Sequence, residues 1–173
     1  MRYLFVVIAI GVVSAGCSQL PTSPTAPDGT AMAEEATQAR GGTDLPFRGS
    51  FEGHEVDQVV PPNLLVNGTA EGTATQLGRY TATFTVVVTL ATSSSTGSIA
   101  LVAANGDELV GTLTGQGTAI APNVAHIIEN VTITGGTGRF AGASGSFTID
   151  RILDQLTGLS SGSLTDGSIS LAR

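Results

Sequence analysis

The sequence predicts an all-β domain of eight antiparallel strands, and three observations carry that expectation. From Leu45 onward the chain breaks into short segments in which apolar and polar residues alternate, the period-two pattern of a strand with one face buried. Turn residues separate these segments at short, even intervals, as in an antiparallel sandwich or a closed barrel. No part of the domain carries a convincing helical pattern.

Pro46 to Glu55 opens the domain, with Phe47 and Phe51 alternating against polar neighbours, and Leu64 to Thr75 follows. Gly78 to Leu90 is the clearest strand. Tyr80, Ala82, Phe84, Val86, Val88 and Leu90 share one face; Arg79, Thr81, Thr83, Thr85 and Thr89 share the other, with Val87 the exception. After the polar run Ser93-Ser94-Ser95-Thr96, a strand runs from Gly97 to Ala104. Asn105-Gly106 predicts a two-residue hairpin, because both residues accept the positive φ of a type I′ turn. Glu108 to Thr118 returns from it with Leu109 and Leu113 on one face. Asn123 to Thr134, Ser144 to Ile152 and Gly158 to Leu171 complete the set, the last with a bulge or kink at Asp166-Gly167. Gly68, Gly72, Gly111, Gly115, Gly117 and Gly162 fall inside these patterns, where glycine marks a bend or a barrel corner. Eight strands can close on a core of side chains or on one small ligand.

The 173 residues leave room for one such domain. Seven basic residues, all arginine, stand against 14 acidic ones, for a formal charge of −7. Basic clusters are absent, which disfavours nucleic-acid binding and charge-driven attachment to anionic lipid. Cys17 is the single cysteine, so no disulfide forms within the chain, and an exported domain of this size must rest on its hydrophobic core.

Met1-Arg2-Tyr3 is a short positive segment, Leu4 to Val13 is apolar and uncharged, and Ser14-Ala15-Gly16 places small residues before Cys17. This is the layout of a secretory signal. Ten residues span only ~15 Å as a helix, about half a bilayer core, so a permanent transmembrane helix is not expected. The segment resembles the signal and lipobox of bacterial lipoproteins, with Ser14 where that family most often has Leu or Val. The resemblance implies that residues 1–16 are removed as a signal peptide, that Cys17 carries diacylglycerol, and that its new N-terminus takes a further acyl chain such as palmitate. It places the protein in the cell envelope, anchored to a membrane and facing the periplasm or the exterior. Ser18 fits outer-membrane sorting in a two-membrane cell. The alternative is an ordinary secretory signal cut near Ala15, with Cys17 a leftover thiol. Residues 17–44 read as the lipidated cysteine and a flexible linker, with Pro21, Pro24, Pro27, Asp28-Gly29 and Gly41-Gly42. Such a linker has an r.m.s. reach of ~28 Å. The domain is then 45–173.

The segment from Ile133 to Gly145, ITGGTGRFAGASG, resembles the "GGTGxFxGAxG" signature of the allene oxide cyclase and dirigent superfamily, and Gly72 to Tyr80 is similar to a recurrent element of its bacterial members. The resemblance implies an eight-stranded antiparallel β-barrel whose interior takes small hydrophobic molecules, either to cyclise them or to steer a radical coupling. The residues explain themselves structurally as well. Gly135-Gly136 permits a tight turn, Gly138 a positive φ, and Phe140 can plug apolar space beneath the loop. No helix or lysine follows this glycine-rich stretch, so phosphate-loop and dinucleotide readings fail. None of the superfamily's active-site motifs aligns, and no catalytic residue is carried over.

Glu129 is the candidate for chemistry. It shares a period-two face with Ala125, Ile127, Val131 and Ile133. A carboxylate there would be costly unless paired, and desolvation would raise its pKa, as suits a general acid or base. The balance on sequence falls on a register shift or bulge that leaves Glu129 in water near a strand end. Glu71 belongs to a polar outer face, and Arg48, Glu52 and His54 form a solvated edge opposite Phe47 and Phe51. His126 lies on the opposite face from Glu129. Two histidines and no cysteine in the domain argue against zinc, no nucleophile elbow or serine triad stands out, and no cofactor is expected. The reading is a non-catalytic envelope lipoprotein whose barrel binds a small apolar ligand or a protein partner. The alternative is a cyclase-, isomerase- or dirigent-like enzyme working on a small hydrophobic substrate in the barrel.

Overall fold

The computed structural model describes residues 44–172; the expected signal peptide, Cys17 and nearly all of the expected linker lie outside the described residues. Eight strands, β1 (Asp44–Val60), β2 (Asn63–Ala74), β3 (Gly78–Thr89), β4 (Ser94–Ala103), β5 (Glu108–Ala121), β6 (Val124–Gly136), β7 (Ser144–Asp154) and β8 (Leu159–Ser170), pair in sequence order. All pairs are antiparallel, and β8 returns to pair with β1, so the sheet closes into a barrel. The expected all-β, eight-stranded antiparallel barrel is therefore the fold. Its strands are rich in Val, Thr and Ile, which fit a pleated, half-buried surface. Every strand is paired on both sides within Asp44–Ser170, so the barrel needs no other segment to complete its sheet.

Alternation divides the barrel cleanly. Phe47, Val66, Tyr80, Leu101, Leu113, Val131, Ile149 and Leu164 point inward, one from each strand, and are buried. The outer faces carry mostly threonines, serines and charges, Glu71 among them, together with exposed aliphatic residues such as Val56, Val87, Ile128 and Ile152. Arg48, Glu52 and His54 are exposed, but they lie on outer wall rather than on an edge, because β1 has β2 on one side and β8 on the other.

The two ends differ. One end, where β1 begins, is closed by Phe47, Leu77, Leu109, Phe140, Phe147 and Ile169, with the Phe47 and Phe147 rings 4.9 Å apart. The glycine-rich segment after β6 forms its cover: a single 3₁₀ turn, Gly138–Phe140, drives Phe140 into the plug, where it is wholly buried. Arg139 lies over the Phe140 ring and donates to the Leu77 carbonyl at 3.3 Å. The structural role read from this motif is the one it has.

Two local expectations need correction. Asn105-Gly106 does not form a type I′ turn: only Gly106 has positive φ (+87°), and its N–H donates to the Ala103 carbonyl at 2.9 Å, giving a longer loop that ends in a left-handed glycine. The strand ends also run further than alternation suggested, β1 to Val60 and β5 to Ala121. The bulge expected at Asp166-Gly167 is present; Asp166 has φ +50°, and the register of β8 shifts there against both neighbours.

Candidate functional site

At the other end the barrel is a cup. Its rim is formed by the four turns β1–β2, β3–β4, β5–β6 and β7–β8, and its cavity holds about 210 Å³. The wall is apolar, with Leu64, Val66, Val86, Val88, Ile127 and Leu153. The floor is charged.

Glu55, Glu129 and Arg151 meet on that floor. Each follows from strand parity. Glu55 continues the inward face of Phe51 and Gly53; Glu129 sits between Ile127 and Val131; Arg151 sits between Ile149 and Leu153. Arg151 Nη1 donates to Glu55 Oε2 at 2.7 Å, and its Nε donates to Glu129 Oε2 at 3.2 Å. β8 lies between Arg151 and Glu55, and its inward residues there, Ser160 and Gly162, are small enough to let the guanidinium pass. The Phe84 ring closes a further side, its centroid 5.8 Å from the guanidinium carbon. Glu129 is only 3% exposed, which overturns the solvated placement favoured by sequence; β6 runs in unbroken register with β7 past this point, so no slip turns the side chain outward.

Burial raises the Glu55 carboxyl above its ordinary value, and the charges of Asp57 and Glu129 push the same way against Arg151. Asp57, nearer the mouth, is raised by burial too. Burial works against the charge on Arg151, yet Glu129 and Glu55 together hold its pKa above the ordinary value, so it stays cationic. Two carboxylates on one guanidinium, with Asp57 beside them, leave the cup with surplus negative charge.

Ser95 completes the floor. It is 6% exposed, and its Oγ is buried without a hydrogen-bond partner among the described residues. Ser95, Gly115 and Glu129 stand side by side across β4, β5 and β6. A Cβ on Gly115 would fall 2.6 Å from Glu129 Cγ and 2.7 Å from Ser95 Oγ, so the two side chains close over Gly115 and only glycine there lets them come this near each other. Below the floor, a separate void of about 30 Å³, lined by Phe51, Tyr80, Phe84, Ile99 and Leu113, touches Glu129 and Arg151 from beneath. It is large enough for one water.

Sequence reasoning reached Glu129 and missed Glu55, Arg151 and Ser95. The signal was available: each is a polar residue on an apolar strand face. His126 lies outside as expected, 2.7 Å from Asp150 on the neighbouring strand, and takes no part in the cup. The broad depression over Glu52, Glu71, Arg79 and Ser161 is open and shallow, and it lies apart from the Glu55–Glu129–Arg151 cluster. Comparison of the chain with family models, curated proteins and solved structures finds no match.

Proposed function

We propose that the protein is a lipid-anchored, extracytoplasmic lipoprotein whose barrel holds a small, largely apolar molecule without acting on it chemically. One observation carries the reading: an apolar-walled cup, open at one end, over a floor of a few buried polar groups. That composition is general to small-molecule sites, and a volume below their usual ~300–1,000 Å³ points to a compact ligand. The anchor rests on the Cys17 context, and the likeness of Ile133–Gly145 to cyclase and dirigent barrels agrees with an interior that takes hydrophobic molecules.

Native mass spectrometry of the full-length protein extracted from its own membranes tests the container. A bound small molecule is expected; an empty barrel that also ignores small apolar probes ends the reading in favour of a surface that meets a protein partner. Cys17→Ser should move the protein out of the membrane fraction, and retention there would end the anchor.

A second reading has its own observation. Glu55, raised by burial, and Glu129 both line the cavity, an arrangement suited to proton transfer in a cyclase- or isomerase-like reaction. Turnover of the co-purified molecule that disappears in Glu129→Gln would move the assignment to an enzyme.

A further inference from the structure

Building on the reading of the cup as a ligand site, we propose that its occupant is an amine: a compact apolar body with a protonated primary ammonium group seated between Ser95, Glu129 and Glu55.

The floor offers acceptors. Both carboxylates commit Oε2 to Arg151, and Oε1 of each has no hydrogen-bond partner among the described residues. Ser95 Oγ is buried with no hydrogen-bond partner among the described residues, an unfavourable state for a polar group that a donor would relieve. An ammonium group brings three donors and no acceptor, which matches this set. Ser95, Glu55 and Glu129 all line the cup, and glycine at 115 lets Ser95 Oγ and Glu129 come close together on its floor.

Charge selects in the same direction. Glu55, Asp57 and Glu129 line the cavity against Arg151 alone. The other arginines among the described residues, Arg48, Arg79 and Arg139, stand at the closed end, at the start of β1, the start of β3 and in the cover. A carboxylate ligand could reach Ser95, but it would have to share the floor with two carboxylates that already neutralise Arg151. Burial raises both the Glu55 and the Asp57 carboxyls, with the charges of Asp57 and Glu129 adding to it at Glu55, and a cation bound in the cup would favour the ionised form of each. Above the head group, Val66, Val86, Ile127 and Leu153 supply the wall for the apolar body.

The test compares three probes of one shape, cyclohexylamine, cyclohexanol and cyclohexanecarboxylate, titrated at pH 7 into the ¹⁵N-labelled chain from Ser18 onward, which contains the whole closed barrel. The amine should shift the amides of Ser95, Gly115 and Glu129 and bind at least ~10-fold more tightly than the alcohol, the difference expected for a hydrogen bond to a charged partner. The carboxylate should not bind. Glu129→Gln should remove most of the amine's advantage over the alcohol. Asp57→Asn, an exposed change that does not threaten folding, should weaken the amine alone by about threefold. Equal binding of amine and alcohol, or tighter binding of the carboxylate, overturns the amine while the container stands. Failure of all three probes to shift the cup, with only water held by Ser95, overturns both.

Discussion

Arg151 places Nη1 2.7 Å from Oε2 of Glu55, a residue 96 positions earlier in the chain, and it does so across an intervening strand. The contact exists only because the barrel closes: β1 and β7 both pair with β8, and the small inward residues of β8 leave the guanidinium a path. With Glu129 on its other side, Arg151 is the single positive charge between two buried carboxylates. Such a cluster contributes little net stability against a well-packed apolar substitute, since desolvation offsets most of the attraction. Its presence at the floor of a cavity is better explained by what it can hold.

Arg151→Ala should therefore destabilise the barrel by ~3–5 kcal/mol, because it leaves two buried carboxylates facing each other. Replacing all three together, with Leu at 55 and 129 and Met at 151, should recover that loss or exceed it while abolishing binding in the cup. Urea denaturation monitored by circular dichroism measures both. A triple variant as unstable as Arg151→Ala would show that the ionic cluster itself holds the fold.

Stability should also depend on pH through Glu55 in a direction opposite to most carboxylates. Its folded-state pKa lies above the ordinary 4.5, chiefly through burial, while in the unfolded chain it titrates at the ordinary value. Between those two values the native state binds the extra proton, so this contribution is full below the unfolded pKa and is lost as pH rises through the folded one. Asp57 acts in the same sense. Asp154 acts in the other: the N–H groups of Leu156 and Thr157 hold its carboxyl low, and its contribution is lost as pH falls. Glu55→Gln should consequently look better relative to the parent at pH 8 than at pH 4, measured as the difference in thermal midpoint. An identical difference at both pH values would refute the raised carboxyl.

The closed end should be separable from the cup. Phe140→Ala removes the wholly buried ring of the cover and should cost ~3–5 kcal/mol. Amine affinity in the cup should not change at temperatures where the variant is folded, since Phe140 lies at the opposite end from Ser95 and Glu129. Parallel denaturation and titration decide it; coupled losses would mean that the plug and the cup move as one.

Alternation in Gly78–Leu90 and its neighbours was enough to read the strands, because a half-buried strand writes its two faces directly into every second residue. The same rule placed His126 outside, and it would have placed Glu55, Ser95 and Arg151 inside had each been counted against its neighbours Phe51, Ile99 and Ile149. What alternation cannot supply is the pairing. That Arg151 stands over both Glu55 and Glu129 depends on β8 closing against β1, a contact between the two ends of the domain. Glu129 was assigned to water because alternation alone does not fix the register or the ends of a strand, and its partner could be recognised only once the sheet had closed. The hairpin at Asn105-Gly106 departed from its expected turn because β4 stops at Ala103 and β5 begins at Glu108, leaving four residues to connect where a type I′ turn uses two.

Gly115 gives the sharpest test of where Ser95 and Glu129 meet. A methyl group there would meet Glu129 Cγ at 2.6 Å, Ser95 Oγ at 2.7 Å and the Ile128 carbonyl oxygen at 2.8 Å. The last of these is backbone and cannot swing aside, so Gly115→Ala should cost ~1–3 kcal/mol by overpacking. It should also push Ser95 and Glu129 out of their places on the floor and abolish amine binding. Gly117, two residues nearer the mouth on the same inward face, is the control: a methyl group there would meet nothing closer than 3.9 Å. Gly117→Ala should leave stability within ~0.5 kcal/mol and preserve binding. Denaturation midpoints and amine titrations on the pair settle the point, and full amine affinity in a folded Gly115→Ala protein would place the head group elsewhere in the cup.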